Sequence, residues 1–170
     1  ESIIYYFENG VTDHLAYGAT VKVNNPYSEK YPVGGVVALT DGLRGTNDYH
    51  FNWLGFEGHE LDAVIALEET TLVNNISVNF LQDAKSWVWI PHNVDFFGST
   101  DGVNYQRLKS VKKKTNEHDF EKIIETFSAK IDNNKYQFIH ITTQSFIQCP
   151  EWHLGAGGKA WVFVDEVVVE

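Results

Sequence analysis

Cysteine is almost absent: Cys149, in the stretch QCPEW, is the single one. Neither an intrachain disulfide nor a cysteine-built zinc site can form. A thiol catalyst would need a base, and His153 follows close behind; the alternative is a small buried side chain ahead of Pro150. Methionine is missing altogether and the chain begins at Glu1. It is therefore read as a mature product or an excised piece of something longer. No stretch is apolar enough to span a membrane, and no signal peptide is visible. Cations are scarce too: 13 Lys and Arg stand against 23 Asp and Glu, a formal net charge of -10 that repels phosphate backbones. The one cationic run, Lys112 to Lys114, sits among Glu117, Asp119 and Glu121 and reads as a solvated face. Nucleic acid and membrane insertion are thereby excluded.

Catalytic signatures are missing as well. No nucleophile elbow of the GxSxG type appears, and GLRGT, at 42–46, leads into more loop instead of the helix a phosphate cradle needs. Asp165 and Glu166 are neighbours on an expected strand, so their side chains should point to opposite faces. They cannot then form the facing carboxylate pair of a glycosidase.

What is present is a packed β protein. In 170 residues, 43% are hydrophobic and 14% aromatic, which suits one domain burying roughly two-thirds of its unfolded surface. The dominant period is two: Leu61, Ala63, Ile65 and Leu67 alternate with their neighbours, as do Ile76, Val78 and Phe80. Further strands are expected at 19–23, 35–40, 94–99, 105–111, 122–131, 136–144 and 160–169, with Trp161 in the core. The segment 117–126 could pass for a helix, but Ile123 and Ile124 favour a strand. Turn signals (NNPYS, VGG, TDG, STDG, DNNK, GAGG) separate these runs. Short strands without βα alternation predict an all-β antiparallel β-sandwich of the jelly-roll kind. Residues 1–13 read as a lead-in segment and 14–170 as a single module.

Two chemistries fit the residues. Calcium takes six to eight hard oxygens, and the segment Leu39–Thr46 offers the Asp41 carboxylate, glycines that let carbonyls converge, and the Thr46 hydroxyl. Glu166 would close the shell if the last strand lies beside this loop; otherwise Asp41–Gly42 is simply a turn. Sugar binding needs aromatic faces beside groups that bond hydroxyls. Loop aromatics are plentiful: Tyr27, Tyr31, Tyr49, Trp53, Trp87, Trp89 and Trp152. Arg44, Asp48, His50, His92 and His153 lie near them in sequence. The alternative is that most of these rings fill the core or its ends. Trp87 and Trp89, spaced by two, are expected to share a face and a role.

Four stretches, in order and spacing, resemble one family: HLAYGATVKVNNPYSEKYPVGGVVALTDGLRG, NWLGFEGHELDAVIALEE, WVWIPHNVDFFGSTDGVNYQRL and CPEWHLGAGGKAWVFVDEVVV. The family is the C-terminal β-sandwich module that follows the catalytic barrel in many bacterial glycoside hydrolase family 20 enzymes, the β-N-acetylhexosaminidases or chitobiases. It belongs to the galactose-binding-like, discoidin or coagulation-factor type C superfamily. The resemblance implies an eight-stranded jelly roll in a secreted, periplasmic or cell-surface glycan-degrading enzyme, without catalytic residues of its own. In related carbohydrate-binding modules, the loop matching Leu39–Thr46 and the glutamate matching Glu166 often hold structural calcium. Here Leu43 stands where those relatives often carry an acidic residue.

The function expected is that of a non-catalytic accessory module with a glycan ligand or an adjacent catalytic domain as partner. Arg44, Asp48, His50, Trp53, Trp87, His92, Trp152 and His153 are its expected glycan rim. Leu39, Asp41, Thr46 and Glu166 are its candidate calcium ligands. The alternative is a free-standing discoidin-type adhesion domain that binds a protein or glycan.

Overall fold

A computed structural model describes residues 14–31 and 34–170; the expected lead-in, 1–13, lies outside the described residues. Among the described residues seven strands form the fold: β1 (Thr20–Val23), β2 (Leu54–Glu57), β3 (Asp62–Gln82), β4 (Asn93–Ser99), β5 (Gln106–Lys112), β6 (Ile123–Gln144) and β7 (Trp161–Val169). All pairings between them are antiparallel. No α-helix occurs among the described residues.

Two strands build both layers. β3 and β6, of 21 and 22 residues, pair along most of their length, but the register slips between Ala66 and Thr71 and between Val73 and Asn75. Slips of this kind bend a ladder and increase its twist. Before the bend β3 pairs with β1, while the matching part of β6 pairs with β4, which carries β5. Beyond the bend β3 pairs with β7, which carries β2. The expected strands 122–131 and 136–144 are thus one strand, as are 61–68 and 76–80, folded over to make a sandwich. Between the layers lie Ala63, Ile65, Leu67, Ile76, Val78 and Phe80 of β3 with Phe96, Ile139, Ile141 and Val164. These are the alternating positions the period of two requires.

The outer face of the β7 layer is covered as well. Trp53, Leu81, Val88 and Phe163 form a second buried cluster there, which is why β7 is buried on both faces almost throughout. β5 is an edge strand with Arg107, Lys109 and Lys112 along it, charges that oppose pairing with another chain.

Two expected elements differ. Residues 35–40 are not a strand: Gly35–Leu39 winds as a 3-10 turn. Gly34 and Gly35 take φ values of 82° and 72°, the left-handed region that favours glycine, and this overrides the β preference of Val36 and Val37. Conversely, Leu54–Glu57 is not among the expected strands, yet it is a strand, held by its pairing with β7. Trp161 is half-buried at the mouth of β7, not in the core.

β7 carries a bulge. Val78 pairs with Val167 but Phe80 pairs with Val164, so three residues on β7 span what two span on β3. The extra residue falls at Asp165–Glu166. It corrects the expectation that these carboxylates face apart: both turn to the loop 41–45, and both are fully buried. Buried in this way, they offer no open glycosidase pair.

Candidate functional site

Three loops meet at the end of the sandwich away from His14 and Val169. They follow β3 (83–92), β5 (113–122) and β6 (145–160), and backbone bonds tie them: His92 N–H to Gln144 O, Lys113 N–H to His92 O, Trp161 N–H to Trp87 O. The first contains a short 3-10 turn, Ala84–Ser86, that ends on Trp87 in the left-handed conformation, φ 66°. This reversal separates the two tryptophans expected to share a face. Trp89 goes inward beside Cys149 and Ala160, whereas Trp87 remains 39% exposed. Cys149 is the small buried side chain its position before Pro150 suggested, and burial pushes its thiol pKa up.

The third loop lies over Trp87 because its glycines leave room. A Cβ on Gly155 would come 2.5 Å from the Trp87 ring and one on Gly158 2.7 Å from it. The same loop carries Trp152, also 39% exposed, with the His118 ring 4.0 Å and the Phe120 ring 6.3 Å away between centroids. Phe120, Ile147 and Leu154 add exposed apolar surface, Leu154 being wholly in solvent. His153 belongs beneath this patch: it is buried, its Nδ1 accepts from Gly155 N–H at 3.0 Å, and Phe120 stacks on its ring at 5.9 Å. It shapes the loop and corrects the expectation of a rim residue. His92 packs its ring 4.3 Å from Phe146, and burial, then Lys113, lower its pKa.

A second group flanks the first. His50 donates from Nδ1 to Asp48 Oδ1 at 2.6 Å, and its backbone N–H bonds the same oxygen, which lowers the Asp48 pKa. Tyr49 lies 4.3 Å from the His50 ring, and Tyr31 sets its edge against Tyr49 and Trp161. Lys122 lies over Tyr49 at 5.9 Å and pairs with Asp83 at 3.5 Å, spanning the two groups.

Trp53 and Arg44 do not join either rim. Trp53 is fully buried, donates its indole N–H to Thr46 O at 2.8 Å, and leaves no space for a Cβ on Gly45. A tryptophan of that size fills the outer face of the β7 layer, a role its loop position hid. Arg44 turns inward, with Nη1 3.4 Å from Asp165 Oδ1 and 3.2 Å from Glu166 O. Phe120 and His118 were missed; the only signal was a lone aromatic ring in a polar, turn-forming segment.

The candidate calcium ligands converge only in part. Asp41, Asp165 and Glu166 come together, and burial with the neighbouring carboxylates raises the Asp41 pKa to about 6. Burial raises Asp165 to about 6 as well, against the pull of Arg44. Thr46 does not fit the expected shell: its hydroxyl donates to Asp48 O and accepts from Asp48 N–H, and its carbonyl accepts from Trp53. Leu39 supplies a buried core side chain. Calcium takes six to eight oxygens, and among the described residues no group of three or more His, Cys, Asp or Glu side chains is arranged to hold a metal.

No protein-family profile and no curated protein matches the chain. Solved structures do. The chain is similar to a Streptococcus pneumoniae fucose binding module at 14% identity, TM-score 0.63, over 95% of this chain and 96% of that one. It is similar to the family 32 carbohydrate-binding module of Streptococcus pneumoniae EndoD at 11% identity, TM-score 0.62, over 93% and 99%. The fold is that of the family 32 carbohydrate-binding modules. A Ruminococcus gnavus GH29 fucosidase also matches, at 16% identity and TM-score 0.57, over 92% of this chain but 26% of the enzyme. There the same sandwich is one part of a longer protein.

Proposed function

We propose that this chain is a non-catalytic carbohydrate-binding module of a secreted, periplasmic or cell-surface glycan-degrading enzyme of the β-N-acetylhexosaminidase kind. The observation that carries this reading is the exposure of Trp87, Trp152 and Phe120 on three interlocked loops at one end of the sandwich. Apolar rings held open to solvent are costly unless something covers them, and the C–H faces of sugar rings suit them. His118 supplies a polar group beside Trp152, and Lys122 links the Asp48–His50 group to Asp83 on the first loop. The fold supports the reading, because solved modules of this architecture bind carbohydrate, fucose among them. Binding at such an open patch is weak, and its benefit to a parent enzyme would come from raised local substrate concentration.

Titration calorimetry with N-acetylglucosamine and galactose oligosaccharides tests this. The parent chain is expected to bind one class, and Trp152→Ala and Trp87→Ala each to weaken binding at least tenfold with the fold retained. The fully exposed Leu154, with Ile147 also exposed on the same loop, favours a second reading in which this end packs on a neighbouring catalytic domain. Absence of any sugar binding by the parent would select it.

A further inference from the structure

We propose that the Asp41–Thr46 loop is held without a metal, by His14, Arg44 and its own backbone amides, in place of the calcium that the resemblance implies. The polarity of the loop is the first argument. Gly42 N–H donates to Glu166 Oε2, Leu43 N–H to Asp41 Oδ1 and Gly45 N–H to Asp165 Oδ2, each at 2.9 Å. Amides directed at carboxylates make an anion-holding cradle, whereas a cation cage directs carbonyls inward.

His14 is the second argument. Its Nδ1 accepts from Ala16 N–H at 3.2 Å and from Val169 N–H at 3.4 Å, so the ring carries a proton on Nε2. That proton is donated to Glu166 Oε1 at 2.7 Å, between side chains that are both wholly buried. The histidine thus joins the start of the module, the loop and the last strand at one carboxylate. Asp165 is supplied separately: besides Gly45 and Arg44, it accepts from Asn79 Nδ2 at 3.0 Å and from Asn79 N–H at 3.3 Å. Glu166 and Asp165 therefore have each carboxylate oxygen engaged by a donor from this chain. The bulge at Asp165–Glu166 makes this possible by aiming both at one loop.

The test is thermal unfolding of the chain in excess EGTA and in millimolar calcium chloride, with calcium titrated into the protein in a calorimeter. The expected result is the same midpoint in both solutions and no binding heat. A midpoint that rises with calcium, or a saturable heat, overturns the proposal. His14→Leu leaves Glu166 buried without its donor and is expected to lower the midpoint by on the order of 10 °C. A His14→Leu midpoint equal to the parent's also overturns it. Should that variant fail to fold, the calcium comparison on the parent chain still decides.

Discussion

The loop apex and the carboxylate cluster are built in opposite senses. At the apex, apolar rings stand in water and few hydrogen bonds fix them; Trp87 and Trp152 are placed by glycines and by ring contacts. Around Asp165 and Glu166, charged groups are taken out of water, and the donors of His14, Gly42, Arg44, Gly45 and Asn79 surround them. The first arrangement leaves apolar surface open to solvent. The second leaves nothing unsatisfied for a partner to meet, because a buried carboxylate without donors would cost several kcal/mol. The contrast separates rings left open to solvent from carboxylates enclosed by donors.

The sharpest way to break the comparison is to move from a rim tryptophan to a buried one. Trp53→Ala removes a fully buried ring and is expected to destabilise by about 3–5 kcal/mol, lowering the midpoint by roughly 6–20 °C. Trp152→Ala should cost well under half of that in the same denaturation assay. Equal losses would mean that the apex is core in disguise. Next in size, Gly155→Ala places a Cβ against the Trp87 ring and should displace the loop. Glycan affinity should fall severalfold in calorimetry while the midpoint moves little.

The smallest effect concerns pH and the cluster. Asp41 and Asp165 are each raised to about 6 from the ordinary carboxylate value. Each therefore favours the folded state while protonated; the contribution is complete below about pH 4 and is lost as pH rises through about 6. Asp41→Asn keeps an acceptor for Leu43 N–H but cannot ionise. Relative to the parent, the variant is expected to gain a few degrees between pH 4 and pH 7, followed by thermal melts across that range. A constant difference would show that Asp41 does not ionise against Glu166.

Much of the sandwich was legible because strand alternation is local: Ala63, Ile65 and Leu67, then Ile76, Val78 and Phe80, announce their faces by spacing alone. The 3-10 turn at Gly35–Leu39 was hidden because two left-handed glycines outweighed two valines. Of the expected glycan rim, Trp87 and Trp152 lie exposed on touching loops, and Asp48 and His50 pair with each other in a separate group. Trp53 and His153 went inside. A tryptophan looks alike in sequence whether a sheet or water lies beside it.

Composition and period alone determined the class of fold and the exclusion of an intrachain disulfide, since each depends on residue counts or on neighbours two apart. The tertiary structure decided which rings are exposed, where the long strands bend, and that a bulge turns Asp165 and Glu166 toward one loop. It also brought His14 to Glu166 across 152 positions of chain. Contacts of that kind depend on how the layers close, and no local pattern encodes the closure.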